Sequence, residues 1–540
     1  MRPTHTAREI QLLPRLFPAL AATAMLLFAS LAVADRSDVH LRAQHHEDQD
    51  LFVGGQDGYH SYRIPALVRT TSGRLIAFAE GRVASMEDYG NIDVVYKTSD
   101  DDGATWSGLG VIAGQAEPAR ARYLATTDIE SDVYAPVDSD TPILYDVGDD
   151  PVIAPRESAG TWGNPTAVVD EGMERVWLFM SWNAATHAQD ISHGVKHEGQ
   201  LPIVVWGQRR MKMTWSDDDG ETWARPVDLT QDLVPPSYSW DAVGPGVGIQ
   251  TKLGPNAGRL IVPAIGRNLV SDDHGQTWTV QLLAKGAAAG WGHVDEETEG
   301  TSEGTILELE SGALMRNDRA IGPVWGNFRR RMIAFGSVDL DAWSPFMPHD
   351  TLLDPKVQGS VLRYTGGSAL NRILFLNSAH TANRRTMHIR LSYDEGLGWP
   401  TQRPLESTTV VAPRLIGGYS SLAKTADFQI GVLVEVNDDE HAPKHGSYAS
   451  HRSILFQKFN LPWILNGTPE EGQRPCGRRS KHRARSPDAA RRRNAAASHD
   501  ILHSKRCRVA WGSHPPRALA RSGQGDCLDR NEARASVGEE

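Results

Sequence analysis

Short apolar segments separated by glycine-rich or charged turns fill the chain from about residue 51 to residue 465. Many alternate apolar and polar positions, as DVVYKT does before Ser99, and none has the 3.6-residue period of a long amphipathic helix. Six segments share one form, an apolar run after a glycine or polar turn: 73–82, 174–183, 258–267, 312–319, 371–379 and 428–438. This pattern predicts an all-β body built from repeated strands.

A second repeat has the form Ser-x-Asp-x-Gly-x-Thr-Trp, and we call it the Asp box. Its copies are SDDDGATW (99–106), SDDDGETW (216–223), SDDHGQTW (271–278) and the incomplete SYDEGLGW (392–399). A calcium loop of the EF-hand type is excluded, because that loop needs glycine at its sixth position and counting from Asp100 places Thr105 there. We interpret the box as a hairpin fastener whose acids accept backbone N–H groups, whose glycine takes a positive φ and whose tryptophan packs under the hairpin.

The spacing of the boxes indicates the architecture. Successive boxes begin 117, 55 and 121 residues apart, close to two, one and two units of nearly sixty residues. A unit of that size suits a four-stranded propeller blade with its loops. We therefore predict one six-bladed β-propeller of four-stranded antiparallel blades over 51–465, with a linker at 35–50 and an inserted loop around 114–165.

The first 34 residues have the pattern of a secretory signal. Three arginines (Arg2, Arg8 and Arg15) precede an uncharged run, which ends in Ala32-Val33-Ala34. A retained membrane anchor is the alternative, since the run approaches spanning length, but Pro18 and the small residues at its end favour removal. We expect a secreted or periplasmic protein with no stable membrane insertion once the signal is removed.

Charge and cysteine are unevenly distributed. The chain carries −11 overall and residues 466–540 carry +7, so residues 1–465 carry −18. A strongly acidic body argues against nucleic acid as a partner. The three cysteines, Cys476, Cys507 and Cys527, all lie in the basic tail, so the body must be stable without disulfides. The tail lacks periodicity, which predicts disorder, although its arginine runs could bind polyanions.

Several of the repeated strands end in charged residues: Glu80 and Arg82, Arg319, and Glu435. Equivalent strand ends of a propeller gather at one mouth of the central channel. These residues therefore predict a site for an anion at that mouth.

The stretch HSYRIPALV (60–68) indicates which kind of protein would have this anion site. Tyr-Arg-Ile-Pro ahead of the first blade, followed by four Asp boxes, resembles the exo-sialidase (neuraminidase) family, and the resemblance covers 51–465. It implies an exo-α-sialidase that releases terminal sialic acids from glycans, glycoproteins or glycolipids by a retaining mechanism. It also implies a monomer that needs no metal and no other cofactor.

The resemblance implies three arginines that bind the sialic acid carboxylate. Arg63 is the arginine of the Arg-Ile-Pro motif. Arg319 follows Glu303 in SEGTILELESGALMRNDR, a pattern similar to the family's. The third arginine precedes the serine of the last box by eight residues, which gives Arg384 and leaves the adjacent Arg385 as the alternative.

The resemblance also implies the catalytic groups. Tyr419 in GGYSSL matches the nucleophile, with Glu303 as the base that takes its proton. Glu435 matches the acid that braces Arg63. Asp88 in the loop after the first blade strand matches the acid/base, with Asp93 as the alternative. Glu80 and Arg82 match residues that flank this site.

Chemistry supports these residue types. Planar guanidinium groups recognise a carboxylate bidentately, which lysine cannot do. A carboxylate nucleophile would be repelled by the substrate's charge, whereas a neutral tyrosine is not, and sialidases are the tyrosine exception among glycosidases. Because a phenol has a pKa near 10, it needs a neighbouring base.

Two other functions remain open at this stage. A trans-sialidase or anhydro-forming sialidase would share all of these residues. A sialic-acid-binding propeller without turnover would lack the tyrosine, glutamate or aspartate, and this chain keeps all three. The histidines of 187–199 fit no common zinc spacing and are expected in a surface loop.

Overall fold

The computed structural model describes residues 42–114, 160–189, 200–204, 206–283, 300–321, 329–337, 339, 342–367, 369–406, 415–437 and 451–470. All of them lie in the first of two compact units, Met1–Pro475. The predicted signal segment, most of the inserted loop, the cysteines and the tail beyond residue 470 lie outside the described residues.

The described residues form an all-β structure. Three four-stranded antiparallel sheets each follow chain order. The first has β13 (Ile249–Gln250), β14 (Leu260–Ala264), β15 (Arg267–Ser271) and β16 (Thr279–Leu282). The second has β17 (Gly300–Glu308), β18 (Leu314–Ile321), β19 (Arg330–Gly336) and β20 (Met347–Leu353). The third has β21 (Ser360–Thr365), β22 (Arg372–Ser378), β23 (Met387–Ser392) and β24 (Thr401–Pro404).

A fourth four-stranded sheet joins the two ends of the body. It contains β25 (Leu415–Lys424), β26 (Ile430–Asn437), β27 (His451–Phe459) and, as its outer strand, β1 (His46–Phe52). In this sheet β1 pairs antiparallel with β27, with His46 opposite Phe459. The predicted linker at 35–50 is therefore wrong in its last residues, because the fold begins at or before His46.

The remaining large sheet has nine strands and consists of two antiparallel groups. One group is β2 (Ser61–Arg69), β3 (Leu75–Arg82), β4 (Ile92–Ser99) and β5 (Gly110–Ala113). The other is β6 (Gly160–Asp170), β7 (Arg175–Ala184), β10 (Arg209–Ser216) and β11 (Val227–Asp228), with β12 (Gly246–Val247) added alongside β6. A single parallel pair, Ile92 with Thr161, connects the groups.

Little else is regular in the described part of the chain. The strands β8 (His187–Gln189) and β9 (Leu201–Ile203) form a small parallel pair. The described residues also form two short helices, α1 (Thr230–Leu233) and α2 (Leu461–Leu465). Within the described ranges no helix has the length and apolar character to cross a bilayer.

All six predicted repeat segments are confirmed as strands, namely β3, β7, β14, β18, β22 and β26. Each is the second strand of its group and is paired on both edges, and the core lies against both of its faces. Leu374 of β22 and Val432 of β26, for example, belong to one buried cluster between neighbouring sheets. Burial on both faces explains why these segments read as nearly continuous apolar runs.

The Asp boxes are hairpin fasteners, as predicted. In the first box the hydroxyl of Ser99 accepts the N–H of Gly103 at 2.8 Å, and Asp101 accepts the N–H of Thr105 at 2.8 Å. Gly103 has φ of 88°. The ring of Trp106 also reaches the neighbouring sheet, lying edge-on to Phe456 with 5.1 Å between ring centroids.

The expectation that all box acids serve backbone hydrogen bonds is wrong for the first acid. Asp100 binds the guanidinium of Arg74 at 2.6 Å, and the equivalent pairs recur in the next two boxes. The residue before the box glycine, in turn, reaches an adjacent sheet. Asp102 accepts N–H groups of Ala426 and Asp427, in the turn between β25 and β26. The boxes therefore connect neighbouring sheets as well as closing hairpins.

The incomplete fourth box has tyrosine where the others have this first acid. Its arginine, Arg372, instead binds Glu470 through two contacts of 2.7 Å, and the hydroxyl of Tyr393 donates to Glu470 at 3.2 Å. Both members of the ion pair are buried, at 3% and 2% exposure. The predicted boundary at 465 is therefore too early, because the fold extends through Glu470.

We predict that Glu470→Ala lowers the free energy of unfolding by about 3 kcal/mol, because it leaves the buried Arg372 guanidinium without its counter-charge. Asp272→Ala is the matched control: the same kind of arginine contact is lost, but that carboxylate is 63% exposed. Its cost should stay below about 1 kcal/mol. Urea unfolding of both variants measures the difference, and equal losses would contradict a special role for Glu470.

Candidate active site

The Arg-Ile-Pro motif forms a bulge in β2. Pairing with β3 runs through Arg63 opposite Glu80 and resumes at Ala66 opposite Phe78, so Ile64 and Pro65 together face one residue. Ile64 has φ of 58°, and Pro65 has no N–H to leave unpaired. The N–H of Ile64 consequently leaves the ladder and donates to Glu435 of the last sheet at 2.9 Å.

A wider bulge in β25 presents Tyr419. Ile416 pairs with Val436 and Ser420 with Val434, so Gly417, Gly418 and Tyr419 all face Glu435. The N–H of Tyr419 donates to Glu435 at 3.0 Å. Glycine is required at 417, where a Cβ would lie 2.1 Å from the carbonyl oxygen of Arg384.

Glu435 is the centre of this arrangement. Its fully buried carboxylate accepts from Nε of Arg63 at 3.2 Å and from Nη2 at 3.4 Å, in addition to the two backbone N–H groups. Burial lowers the pKa of Arg63, but the carboxylates of Glu435 and Asp88 outweigh it and raise that pKa above its ordinary value. Arg63 is therefore a permanent, fixed cation.

Glu303 and Arg319 meet the phenol of Tyr419. They lie at another bulge, where Ser302 and Glu303 of β17 both face Arg319 of β18. The phenol donates to Glu303 through a short hydrogen bond, and Nη1 of Arg319 lies 2.7 Å from Glu303 and 3.3 Å from the phenol oxygen. Burial and the charge of Glu303 raise the pKa of Tyr419, although the nearby arginines oppose them. The phenol is therefore neutral in the free protein.

Asp88 faces the arginines from the loop after β3. Its carboxylate lies 3.2 Å from Nη1 of Arg63 and 2.7 Å from Nη2 of Arg82, and 75% of its side chain is exposed. Desolvation of its carboxylate by the surrounding protein raises the pKa of Asp88. The positive charges of Arg82 and Arg63 outweigh this effect and lower the pKa well below its ordinary range. Asp93, in contrast, is fully buried and accepts a hydrogen bond from Tyr59 at 2.7 Å. It is therefore Asp88 that contacts the arginine group.

The remaining predicted residues complete the group. Arg82 binds Glu80 at 2.7 Å, and Glu80 also accepts the N–H of Asn164 at 2.9 Å. The guanidinium carbon of Arg384 lies 5.6 Å from the ring centroid of Tyr419, and that of Arg63 lies 5.4 Å from it. Arg385 has an exposed side chain, whereas Arg384 is partly buried. Arg384 is thus the arginine beside Tyr419, and three guanidinium groups surround one neutral phenol.

Comparison with known proteins identifies the family to which the chain is similar. The family of BNR repeat-like domains matches residues 148–436. The exo-alpha-sialidase of Aspergillus fumigatus is 39% identical over 76% of this chain and 86% of its own length. That of Arthroderma benhamiae is 35% identical over 79% of this chain and 92% of its own. The solved structure of the Hadza microbial sialidase Hz136 matches the fold with a TM-score of 0.55, at 24% identity, over 77% of this chain and 69% of that one.

The chain belongs to the exo-alpha-sialidase family. Membership makes it a glycoside hydrolase, because the two fungal relatives align over most of this chain and nearly all of their own length. The sequence prediction of a sialidase with Asp-box repeats is confirmed.

Sequence reasoning missed Arg209 in β10 of this sialidase. Its guanidinium donates to the side chain of Asn164 at 2.6 Å and to the carbonyl of Asp241 at 2.7 Å, and it stacks 4.0 Å from the ring centroid of Trp240. Burial lowers the pKa of Arg209 to about 10, while Glu80, Asp241 and Asp88 act to raise it. An arginine at a strand start has no periodic or motif signal, so only the three-dimensional arrangement reveals it beside Glu80.

No group of three or more His, Cys, Asp or Glu side chains in the described ranges of this sialidase is arranged to hold a metal ion. Of the histidines in 187–199, His187 is buried in β8, and His193 and His197 lie outside the described residues.

Proposed function

We propose that the protein hydrolyses terminal α-ketosidically linked sialic acids of glycans, glycoproteins or glycolipids, with retention of configuration and Tyr419 as nucleophile. One observation carries the proposal: the neutral phenol of Tyr419 is hydrogen-bonded to Glu303 and surrounded by Arg63, Arg319 and Arg384. An anionic sugar would be attracted to such a site, and the attacking oxygen would carry no charge to repel it.

The substrate's carboxylate would bind the three guanidinium groups. Arg63 and Arg319 are held by Glu435 and Glu303, so they lose little side-chain freedom when the substrate arrives. A sialic acid bears its carboxylate on the anomeric carbon itself. Binding the carboxylate beside the Tyr419 ring therefore places that carbon near the phenol oxygen.

Catalysis would proceed in two steps. The phenol oxygen attacks the anomeric carbon while Glu303 takes its proton, and Asp88 donates a proton to the departing glycosidic oxygen. Asp88 then takes a proton from the water that attacks the sugar–tyrosine bond, and Glu303 returns the proton to Tyr419. Two inversions give net retention.

The ionised state of Asp88 in the free protein is consistent with this cycle. Its pKa is low because Arg63 and Arg82 face it. A substrate carboxylate bound to Arg63 adds a negative charge beside Asp88 and neutralises part of the positive charge. Both changes raise the pKa of Asp88, so substrate binding itself favours the protonated form that a general acid requires.

The proposal includes the six-bladed propeller. Five four-strand groups run β2–β5, β6–β7–β10–β11, β13–β16, β17–β20 and β21–β24, and β25–β27 with β1 gives a sixth. First strands of different groups contact one another, β2 with β6 and β25, and β21 with β17 and β25. Such contacts are expected around a central channel, and the bulged first strands β2, β17 and β25 would then present the site at one mouth.

We also propose, from the signal-like pattern of residues 1–34, that the protein is exported, and, from the family resemblance, that it acts as a monomer.

We predict that the wild-type protein hydrolyses a fluorogenic aryl sialoside and that Tyr419→Phe lowers kcat by at least ~10³-fold, because the nucleophile is removed while the arginines remain. Tyr393→Phe, which alters a partly buried tyrosine hydrogen-bonded to Glu470, is the control and should keep wild-type kcat. A folded wild type that binds sialic acid without releasing it from the sialoside would contradict the proposed hydrolase.

We predict that Asp88→Ala lowers kcat/KM strongly for a natural sialyl-oligosaccharide and only weakly for an aryl sialoside, because a phenolate leaves without a donated proton. The low pKa of Asp88 has a second consequence. Wild-type kcat/KM for the oligosaccharide should rise as pH falls, since the protonated fraction of Asp88 grows, and Asp88→Ala should lose this slope. Asp93→Asn should change kcat/KM to the same extent for the oligosaccharide and the aryl sialoside. If Asp93→Asn instead affects mainly the oligosaccharide and Asp88→Ala does not, the acid/base assignment is wrong.

A further inference from the structure

Gln358 pairs with the backbone next to Tyr419. It precedes β21 and is 2% exposed. Its Oε1 accepts the N–H of Ser420 at 3.0 Å, and its Nε2 donates to the carbonyl of Ser420 at 3.0 Å and to that of Pro245 at 3.2 Å. One side-chain amide thus binds both polar groups of a residue on β25, as a neighbouring strand would.

Tyr419 needs such support because its own segment of β25 bulges out of the regular ladder. Gly417, Gly418 and Tyr419 all oppose Glu435, and the N–H of Gly418 donates to the hydroxyl of Ser378 at 3.2 Å in place of a ladder partner. Side chains therefore hold this part of the backbone. Glu435 fixes the peptide before Tyr419, and Gln358 fixes the peptide after it.

We propose that Gln358 is a positioning residue that aims the Tyr419 phenol at the anomeric carbon, an inference that rests on the proposed function. Orientation of the 419–420 peptide sets the direction in which the Tyr419 side chain leaves the backbone. A displacement of about 1 Å in a reacting group can cost ~10²-fold in rate. The effect acts through the backbone beside Tyr419, so it needs no contact between Gln358 and the arginines that would bind the substrate carboxylate.

The amide group is specifically suited to this role. Gln358→Glu would place a carboxylate oxygen against the carbonyl oxygens of Ser420 and Pro245, which accept and cannot donate. Gln358→Met keeps the volume of the side chain and removes all three hydrogen bonds. Gln457→Met is the matched control, because Gln457 is also fully buried and its amide donates to a backbone carbonyl, that of Glu406 at 2.9 Å, away from the site.

We expect kcat for an aryl sialoside to fall ~10- to 100-fold in Gln358→Met with KM changed less than ~3-fold. The Tyr419 phenol would be misoriented, whereas the arginines would still bind the substrate carboxylate. Gln358→Glu should be impaired at least as strongly. Gln457→Met should lower the melting temperature to a similar extent and keep kcat within about twofold of the wild type. The rate of covalent inactivation by a 3-fluorosialosyl fluoride, which reports attack by the tyrosine, should fall in parallel with kcat.

Two results would overturn the inference: a Gln358→Met variant that matches Gln457→Met in kcat and inactivation rate, or one whose loss lies entirely in KM. Wild-type protein without turnover would instead refute the proposed function. The two failures are therefore distinguishable.

Discussion

The site depends on one buried carboxylate, that of Glu435. It holds the guanidinium of Arg63 and the N–H groups of Ile64 and Tyr419, so it connects the arginine proposed to bind the substrate carboxylate with the backbone of the proposed nucleophile. Without it, Arg63 would be a buried charge paired only with the exposed Asp88, and two backbone donors would lose their acceptor. Glu435 lies in the last sheet and Arg63 in the first β-strand group, so the same contact joins the two ends of the body. The pairing of β1 with β27 lies in the same sheet as Glu435, so the N-terminal strand also contributes to this junction.

Local departures from regular pairing explain how a regular β-structure presents these side chains. Glu303, Ile64 and Tyr419 each lie at a bulge, where two or three residues face one partner. At a bulge, N–H groups leave the ladder and side chains change direction. The freed donors are bound by buried side chains, so the functional residues are fixed by contacts that cross between sheets. The central strands around them remain fully paired.

Much of this could be predicted from the sequence, for reasons that differ between elements. Central strands such as β7 and β26 are buried on both faces, and they therefore stand out as apolar runs. The Asp boxes are local hydrogen-bonding motifs whose spacing carries information about the whole body.

Tyr419, Glu303 and the arginines were identified through family resemblance, and the structure brings them together. The sequence favours Asp88 and leaves Asp93 as the alternative, and the contacts of Asp88 with Arg63 and Arg82 distinguish the two. Glu470, Arg209 and Gln358 gave no signal, because each acts through partners far along the chain.

The central claim is that a neutral tyrosine attacks the sugar and that water later attacks the same carbon. Proton NMR of an aryl sialoside during the first minutes of hydrolysis tests this most directly, because the anomers of free sialic acid have separate signals and interconvert slowly. The account predicts that the α-anomer appears first and that the β-anomer accumulates only by later mutarotation. First release of the β-anomer would mean a single displacement by water and would contradict the role given to Tyr419.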